Sequence, residues 1–168
     1  HQDQLMRPTD LSIVLKEALK LLRASLPTTI EIRKNIHRGV ILGDTTQIHQ
    51  VIVNLCTNAA HAMSDRGVLN VSLTQVSFGQ DDLHALPFGD LTPGNYVKLT
   101  ISDTGHGMSR DILEHIFDPY FTTKKVGEGT GLGLAVVHGI VKKHGGEIRV
   151  QSTPGEGTVF DVYLPAVT

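Results

Sequence analysis

The run Gly127-Glu-Gly-Thr-Gly-Leu-Gly-Leu134 constrains this chain more than any other segment. A glycine-rich turn lets backbone N–H groups approach phosphates closely. An apolar, helix-like run starts straight after it, at Leu132, and a helix N-terminus adds positive potential there. Upstream lies a second glycine turn, Asp103-Thr-Gly-His-Gly107. Together they imply a bound nucleotide. The spacing Gly129-x-Gly131-x-Gly133, with Leu134 following and no strand leading in, does not match a dinucleotide fingerprint. No Gly-Lys pair exists anywhere, so a Walker A loop is excluded as well.

Hydrophobic periodicity supplies the frame. Residues 11–25 read as a helix: Leu11, Val14, Leu15, Ala18 and Leu22 share a face, Asp10 caps the start and Pro27 follows the end. Ile30–Ile36 alternates as a strand, and Val40–Leu42 is a short apolar one. Asp44 with Gln47 resembles a capping box opening a helix to about Ser64, with a stripe of Ile48, Val51, Ile52, Leu55, Ala59 and Ala62. Val68–Phe78 and Tyr96–Asp103 read as strands joined by a polar surface connection over Gly79–Gly94. Ser109–Ile116 reads as a short helix, 118–130 as loop, and Leu132–Lys143 as a helix ended by Gly145-Gly146. Two strands, Glu147–Ser152 and Thr158–Leu164, flank a Pro154-Gly155 turn. This mixed order, without regular βαβ alternation, predicts an α+β sandwich with helices on one face of a mixed sheet.

Composition narrows the partners. The 168 residues suit one domain with a sizeable core. A net charge of −2 gives no electrostatic reason to expect nucleic acid or an anionic membrane. A single cysteine, Cys56, excludes an internal disulfide and lies in an apolar helical pattern, as a buried thiol would. No apolar run approaches a membrane span.

Three further constellations bear chemistry. Asn54 and Asn58 lie one turn apart beside the apolar stripe, with His61 on the same side a turn later. They are either solvated helix residues or an amide pair for Mg²⁺ and phosphate. Asp103 shares a strand face with Val97, Leu99 and Ile101, where a carboxylate needs a partner. Either it fixes the turn or caps the helix at 109, or it accepts from an adenine amino group, with Gly105 and Gly107 turning around the base. In Ile116-Phe-Asp-Pro-Tyr-Phe-Thr-Thr-Lys124, Phe117 and Phe121 either pack a loop or anchor a lid whose Lys124 reaches a terminal phosphate.

In this order the motifs resemble the ATP-binding catalytic domain of sensor histidine kinases, in the superfamily shared with DNA gyrase B, heat-shock chaperone ATPases and mismatch-repair ATPases. Gln50–Met63 resembles the N box, Asp103–Met108 the G1 box, Phe117–Lys124 the F box and Gly127–Leu134 the G2 box. Gly155–Phe160 and Leu164-Pro165 match the family's last hairpin. The similarity covers residues 8–166. It implies the two-layer Bergerat-type α/β sandwich with a mostly antiparallel sheet, ATP or ADP between the helices, and a flexible lid at about 118–130. It divides the chain into 1–8, the end of a preceding dimerisation or linker segment, and 9–166, the catalytic domain.

The resemblance also implies roles. Asn58 would be the Mg²⁺ ligand, Asn54 would help hold metal and phosphates, and His61 would contact phosphate, with Ala62 beside it. Asp103 would bind adenine N6, with Gly105, Gly107 and Met108 around the base. Phe117, Phe121 and Lys124 would belong to the lid, Lys124 near the γ-phosphate. Gly129, Thr130, Gly131, Leu132, Gly133 and Leu134 would form the lid base, and Thr158 would support adenine through water.

One position separates activities. Hydrolytic members carry Glu four residues before the Mg²⁺-binding Asn; here that residue is Asn54, and an amide is no general base. Phosphotransfer is therefore expected over the alternatives, a hydrolytic ATPase module or a nucleotide-binding-only degenerate kinase. None of the nine histidines is followed by an acidic residue, as the phosphorylated histidine of such kinases is. The acceptor would sit on a separate dimerisation domain, for relay to a response-regulator Asp. A monomeric fragment of a homodimeric parent is the expectation, inactive in autophosphorylation without its histidine-bearing domain.

Overall fold

Strand alternation and helix stripes converge on one buried layer. A computed structural model describes residues 6–85, 91–121 and 133–167. Its elements are β1 (Arg7–Asp10), α1 (Leu11–Ser25), β2 (Ile30–Ile36), β3 (Val40–Gly43), α2 (Thr45–Ala62) and β4 (Gly67–Phe78). Then come α3 (Gln80–Ala85), β5 (Gly94–Asp103), α4 (Arg110–Leu113), α5 (Gly133–Lys143), β6 (Glu147–Thr153) and β7 (Gly157–Pro165). The main sheet has the order β2-β4-β5-β7-β6. Among the described strands of this sheet, only β2 and β4 pair in parallel; the other pairs are antiparallel. The mixed, mostly antiparallel α+β sandwich is thus the observed fold.

Period-two patterning sends Leu69, Val71 and Leu73 of β4, Val97, Leu99 and Ile101 of β5, and Phe160, Val162 and Leu164 of β7 to the same face. There they meet Leu11, Leu15, Ala18 and Leu22 of α1, Ile48, Ile52 and Leu55 of α2, and Val137, Ile140 and Val141 of α5. Each large aliphatic buried there contributes about 1.5–3 kcal/mol. Cys56 is part of this core, and burial pushes its thiol up to about 12.

Local signals set the helix ends. Asp10 accepts from the Ser12 N–H at 3.0 Å and the Ser12 hydroxyl at 2.7 Å. The Ser12 hydroxyl bond is the largest cause holding the Asp10 carboxyl below its usual value. At the end of α5, Gly146 N donates to Val141 O and Gly145 N to Lys142 O, with Gly145 at φ +76°, a Schellman ending. Asp44 accepts from the Thr46 and Gln47 N–H groups, as a cap should. The reciprocal leg of the capping box is absent, because the Asp44 N–H goes to His144 instead.

Three elements differ from the sequence reading. β1 pairs with β3 in a separate two-stranded ribbon, a pairing with no hydrophobic alternation to announce it. The connection after β4 contains the short helix α3, whose Leu83 packs with Val76, Phe78, Leu91, Tyr96 and Tyr163 on the far side of the sheet. This aromatic cluster gives that face a small core of its own, besides the three long helices on the other face. The helix expected over Ser109–Ile116 stops at Leu113. Tighter i→i−3 bonds follow it, His115 N to Ile112 O and Asp118 N to His115 O, and place Ile116 in the core.

Candidate functional site

Asp103 ends β5, and alternation turns it inward to 7% exposure. Its Oδ1 accepts from the Gly105 N–H at 2.8 Å and the Thr158 N–H at 3.3 Å. Burial raises the carboxyl above its ordinary value; those two N–H groups and nearby His106 oppose the shift without cancelling it. Ser109, not Asp103, caps α4. The turn-fixing role is real, and it occupies only Oδ1.

The following loop is shaped by protein contacts on two sides. The His106 N–H donates to the carbonyl of Ala62, near the end of α2, at 3.0 Å. The Gly155 N–H, from the β6–β7 turn, donates to His106 O at 2.7 Å. A Cβ on Gly105 would press on the Ala62 carbonyl, and one on Gly107, at φ +70°, would run into the Thr153 carbonyl. Both glycines are therefore demanded by backbone packing, before any ligand arrives.

Met108 follows, half-buried against the core, and its N–H donates to the Ser152 hydroxyl at 2.7 Å. Ser152 Oγ also lies 3.1 Å from Gly157 O and 2.7 Å from the hydroxyl of Thr158, itself buried at 4% exposure. Ser152 was missed in the sequence. The available signal was a polar residue on the inward face of β6, in step with Ile148 and Val150.

On α2, Asn54 and Asn58 are both half-buried, one turn apart. The Asn54 amide donates to the carbonyl of Gly133, the first residue of α5, at 3.3 Å. That bond ties the asparagine helix to the helix that follows the glycine run. Leu134 packs against the core beside it. His61 stands exposed. The end of α2 and the Asp103 loop are thus in direct contact through Ala62, His106 and Gly105; Asp103, Met108 and Thr158 adjoin them through the bonds above, and Asn58 and Asn54 lie one and two turns before Ala62 on α2.

Phe117 and Phe121 are half-buried against the core. The Phe117 ring lies 5.2 Å from His138 of α5, and Phe121 lies 5.8 Å from His115. Both phenylalanines have packing partners. Lys124, Gly129, Thr130, Gly131 and Leu132, and most of the lid, lie outside the described residues.

Comparison with known proteins agrees with this fold. Residues 43–168 match the family described as histidine kinase-, DNA gyrase B-, and HSP90-like ATPase. The chain is 40% identical over 166 residues to the sensor kinase CckA of Brucella abortus, covering 96% of this chain and 17% of that protein. It therefore spans about a sixth of that relative's length. Among solved structures, the mycobacterial sensor histidine kinase MprB superposes with a TM-score of 0.77 at 26% identity, covering 96% of this chain and 97% of that one. Full-length ShkA in complex with AMPPNP superposes with a TM-score of 0.74 at 25% identity, covering 97% of this chain and 31% of ShkA.

Proposed function

The chain belongs to the histidine kinase-, DNA gyrase B- and HSP90-like ATPase family, and from that premise we propose that it is the ATP-binding catalytic module of a two-component sensor histidine kinase. The observation that carries this reading is the state of Asp103. It is a buried carboxylate with one oxygen held by two backbone N–H groups, beside the end of the helix that bears Asn54 and Asn58. Its second oxygen, Oδ2, accepts the adenine N6 amino group, and Thr158 and Met108 flank the base. The likeness to a chain bound to AMPPNP supports a nucleotide in this place.

Asn58 supplies a neutral carbonyl oxygen, a hard ligand suited to Mg²⁺. Among the described residues, no group of three or more His, Cys, Asp and Glu could hold a metal alone. The residues fit an ion that enters with the phosphates and keeps few protein ligands, as Mg²⁺ does. Asn54 steadies the same region through Gly133, and His61, Lys124 and the glycines 129–133 attend the phosphates. ATP supplies the phosphoryl group; this chain's residues bind, orient and neutralise charge.

With Asn54 in place of a carboxylate, no side chain at that position can activate water, so transfer to a protein histidine is favoured over hydrolysis. The acceptor is a histidine on a separate dimerisation domain, and a response-regulator Asp receives the phosphoryl group next. No helix among the described residues is long and apolar enough to cross a membrane. The testing experiment is calorimetric titration with ADP and a non-hydrolysable ATP analogue, with and without Mg²⁺, using GTP as control. Adenine-selective, Mg²⁺-sensitive binding supports the reading, and phosphotransfer to a supplied histidine-bearing hairpin completes it. Absence of binding to any nucleotide overturns it.

A further inference from the structure

The Ser152 hydroxyl meets three groups: the Met108 N–H at 2.7 Å, the Gly157 carbonyl at 3.1 Å and the Thr158 hydroxyl at 2.7 Å. A hydroxyl has one hydrogen and two lone pairs. Met108 N can only donate, so it takes one lone pair. Gly157 O can only accept, so it takes the hydrogen. The Thr158 contact then closes in one way, with Thr158 donating to Ser152. The Thr158 proton is spent there, and its oxygen has only lone pairs to offer elsewhere. The Thr158 N–H is spent too, on Asp103 Oδ1. Asp103, when ionised, is likewise an acceptor alone.

We propose that Ser152 is a positioning residue for base specificity: its three bonds orient the Thr158 hydroxyl so that Thr158 and Asp103 both present acceptors, which selects a 6-amino purine over a 6-oxo purine. The inference rests on the reading of Asp103 as the base-binding carboxylate. An exocyclic amino group can satisfy acceptors of this kind. A carbonyl in its place brings no hydrogen, and buried oxygens left facing it are costly. Ser152 needs no contact with the nucleotide to exert this effect.

The test compares ADP with inosine diphosphate, which differ in the group at C6 and its ring protonation. Dissociation constants for both are measured by calorimetry on the wild-type chain and on Ser152→Ala, Ser152→Thr and Thr158→Val, with thermal unfolding alongside. Wild type should prefer ADP. Ser152→Ala frees the Thr158 proton to donate outward, so the preference should narrow roughly tenfold. Ser152→Thr keeps the hydroxyl and should restore it. Thr158→Val, which removes the acceptor and spares Ser152, should also narrow it. An unchanged ratio in folded Ser152→Ala, or in Thr158→Val should the first variant not fold, overturns the inference. A wild-type chain that binds neither nucleotide, or both equally, overturns the base-site reading itself and this inference with it.

Discussion

The Nε2 atom of His144, at the end of α5, accepts the backbone N–H of Asp44, the cap of α2, at 3.1 Å and across 100 residues of chain. The ring's Nδ1 donates to the Ile140 carbonyl at 2.8 Å, so both nitrogens are used and one tautomer is selected. In a capping box that Asp44 N–H would belong to the Gln47 side chain; among the described residues, Gln47 Oε1 is instead buried without a partner. The same two helices are joined again where Asn54 donates to Gly133. The asparagine helix is therefore fastened to α5 at two points, one at each end of α5.

Removing the first fastening should be costly. His144→Ala leaves the Asp44 N–H buried without an acceptor and opens space under α5, for a loss of about 2–4 kcal/mol. His144→Gln, which retains an acceptor, should lose less. Denaturant unfolding measures both; equal stability of the alanine variant and wild type would show that the bond is dispensable.

Asp103→Asn should bind adenine nucleotides about ten- to a hundredfold more weakly, since a charge-assisted bond becomes an amide contact. The fold should persist, because an amide oxygen still accepts from Gly105 and Thr158. Calorimetry reads the first point and circular dichroism the second. Unchanged affinity would remove adenine recognition from Asp103.

Acid should separate two oppositely shifted carboxylates, Asp103 and Asp10. Asp103 sits above its ordinary value of 3.8, so the folded state holds its proton longer than the unfolded chain. Its contribution favours folding at low pH and is lost as pH rises through the interval just above that value. Asp10 sits below 3.8, so its contribution is present above that value and is lost as pH falls through its lowered one. In unfolding midpoints taken from about pH 3 to 6, Asp103→Asn should remove the first trend and Asp10→Asn the second. ADP affinity should fall as Asp103 protonates, and Asp103→Asn should lose that pH dependence.

Asn58→Ala should weaken nucleotide binding chiefly when Mg²⁺ is present, by roughly tenfold. Titration with and without the metal makes the comparison. Equal losses in both would assign Asn58 a general polar role and not a metal-ligand one.

The main elements were legible because their signals are local. The stripe Leu11-Val14-Leu15-Ala18-Leu22 and the alternation Val97-Leu99-Ile101-Asp103 follow from helix and strand periods alone. Asp10, Asp44 and Gly145 mark helix ends by their own hydrogen bonds or backbone freedom. β1 was not legible: Arg7-Pro-Thr-Asp10 carries no alternation, and it is a strand because β3 offers it an edge. Nor was the early stop of α4, where core burial of Ile116 outweighs another helical turn.

Sequence alone determined the α+β class, the inward carboxylate at the end of β5, the asparagine pair one turn apart, and the order of motifs that places this chain in its family. These depend on neighbours two to four positions away. Tertiary structure alone decided which distant groups complete each site: His144 on Asp44, Ser152 between Met108 and Thr158, Gly133 under Asn54, and the tyrosine cluster behind the sheet. The reason is physical. A buried donor or acceptor must find a partner, but sheet register and helix docking determine which partner lies within about 3 Å of it.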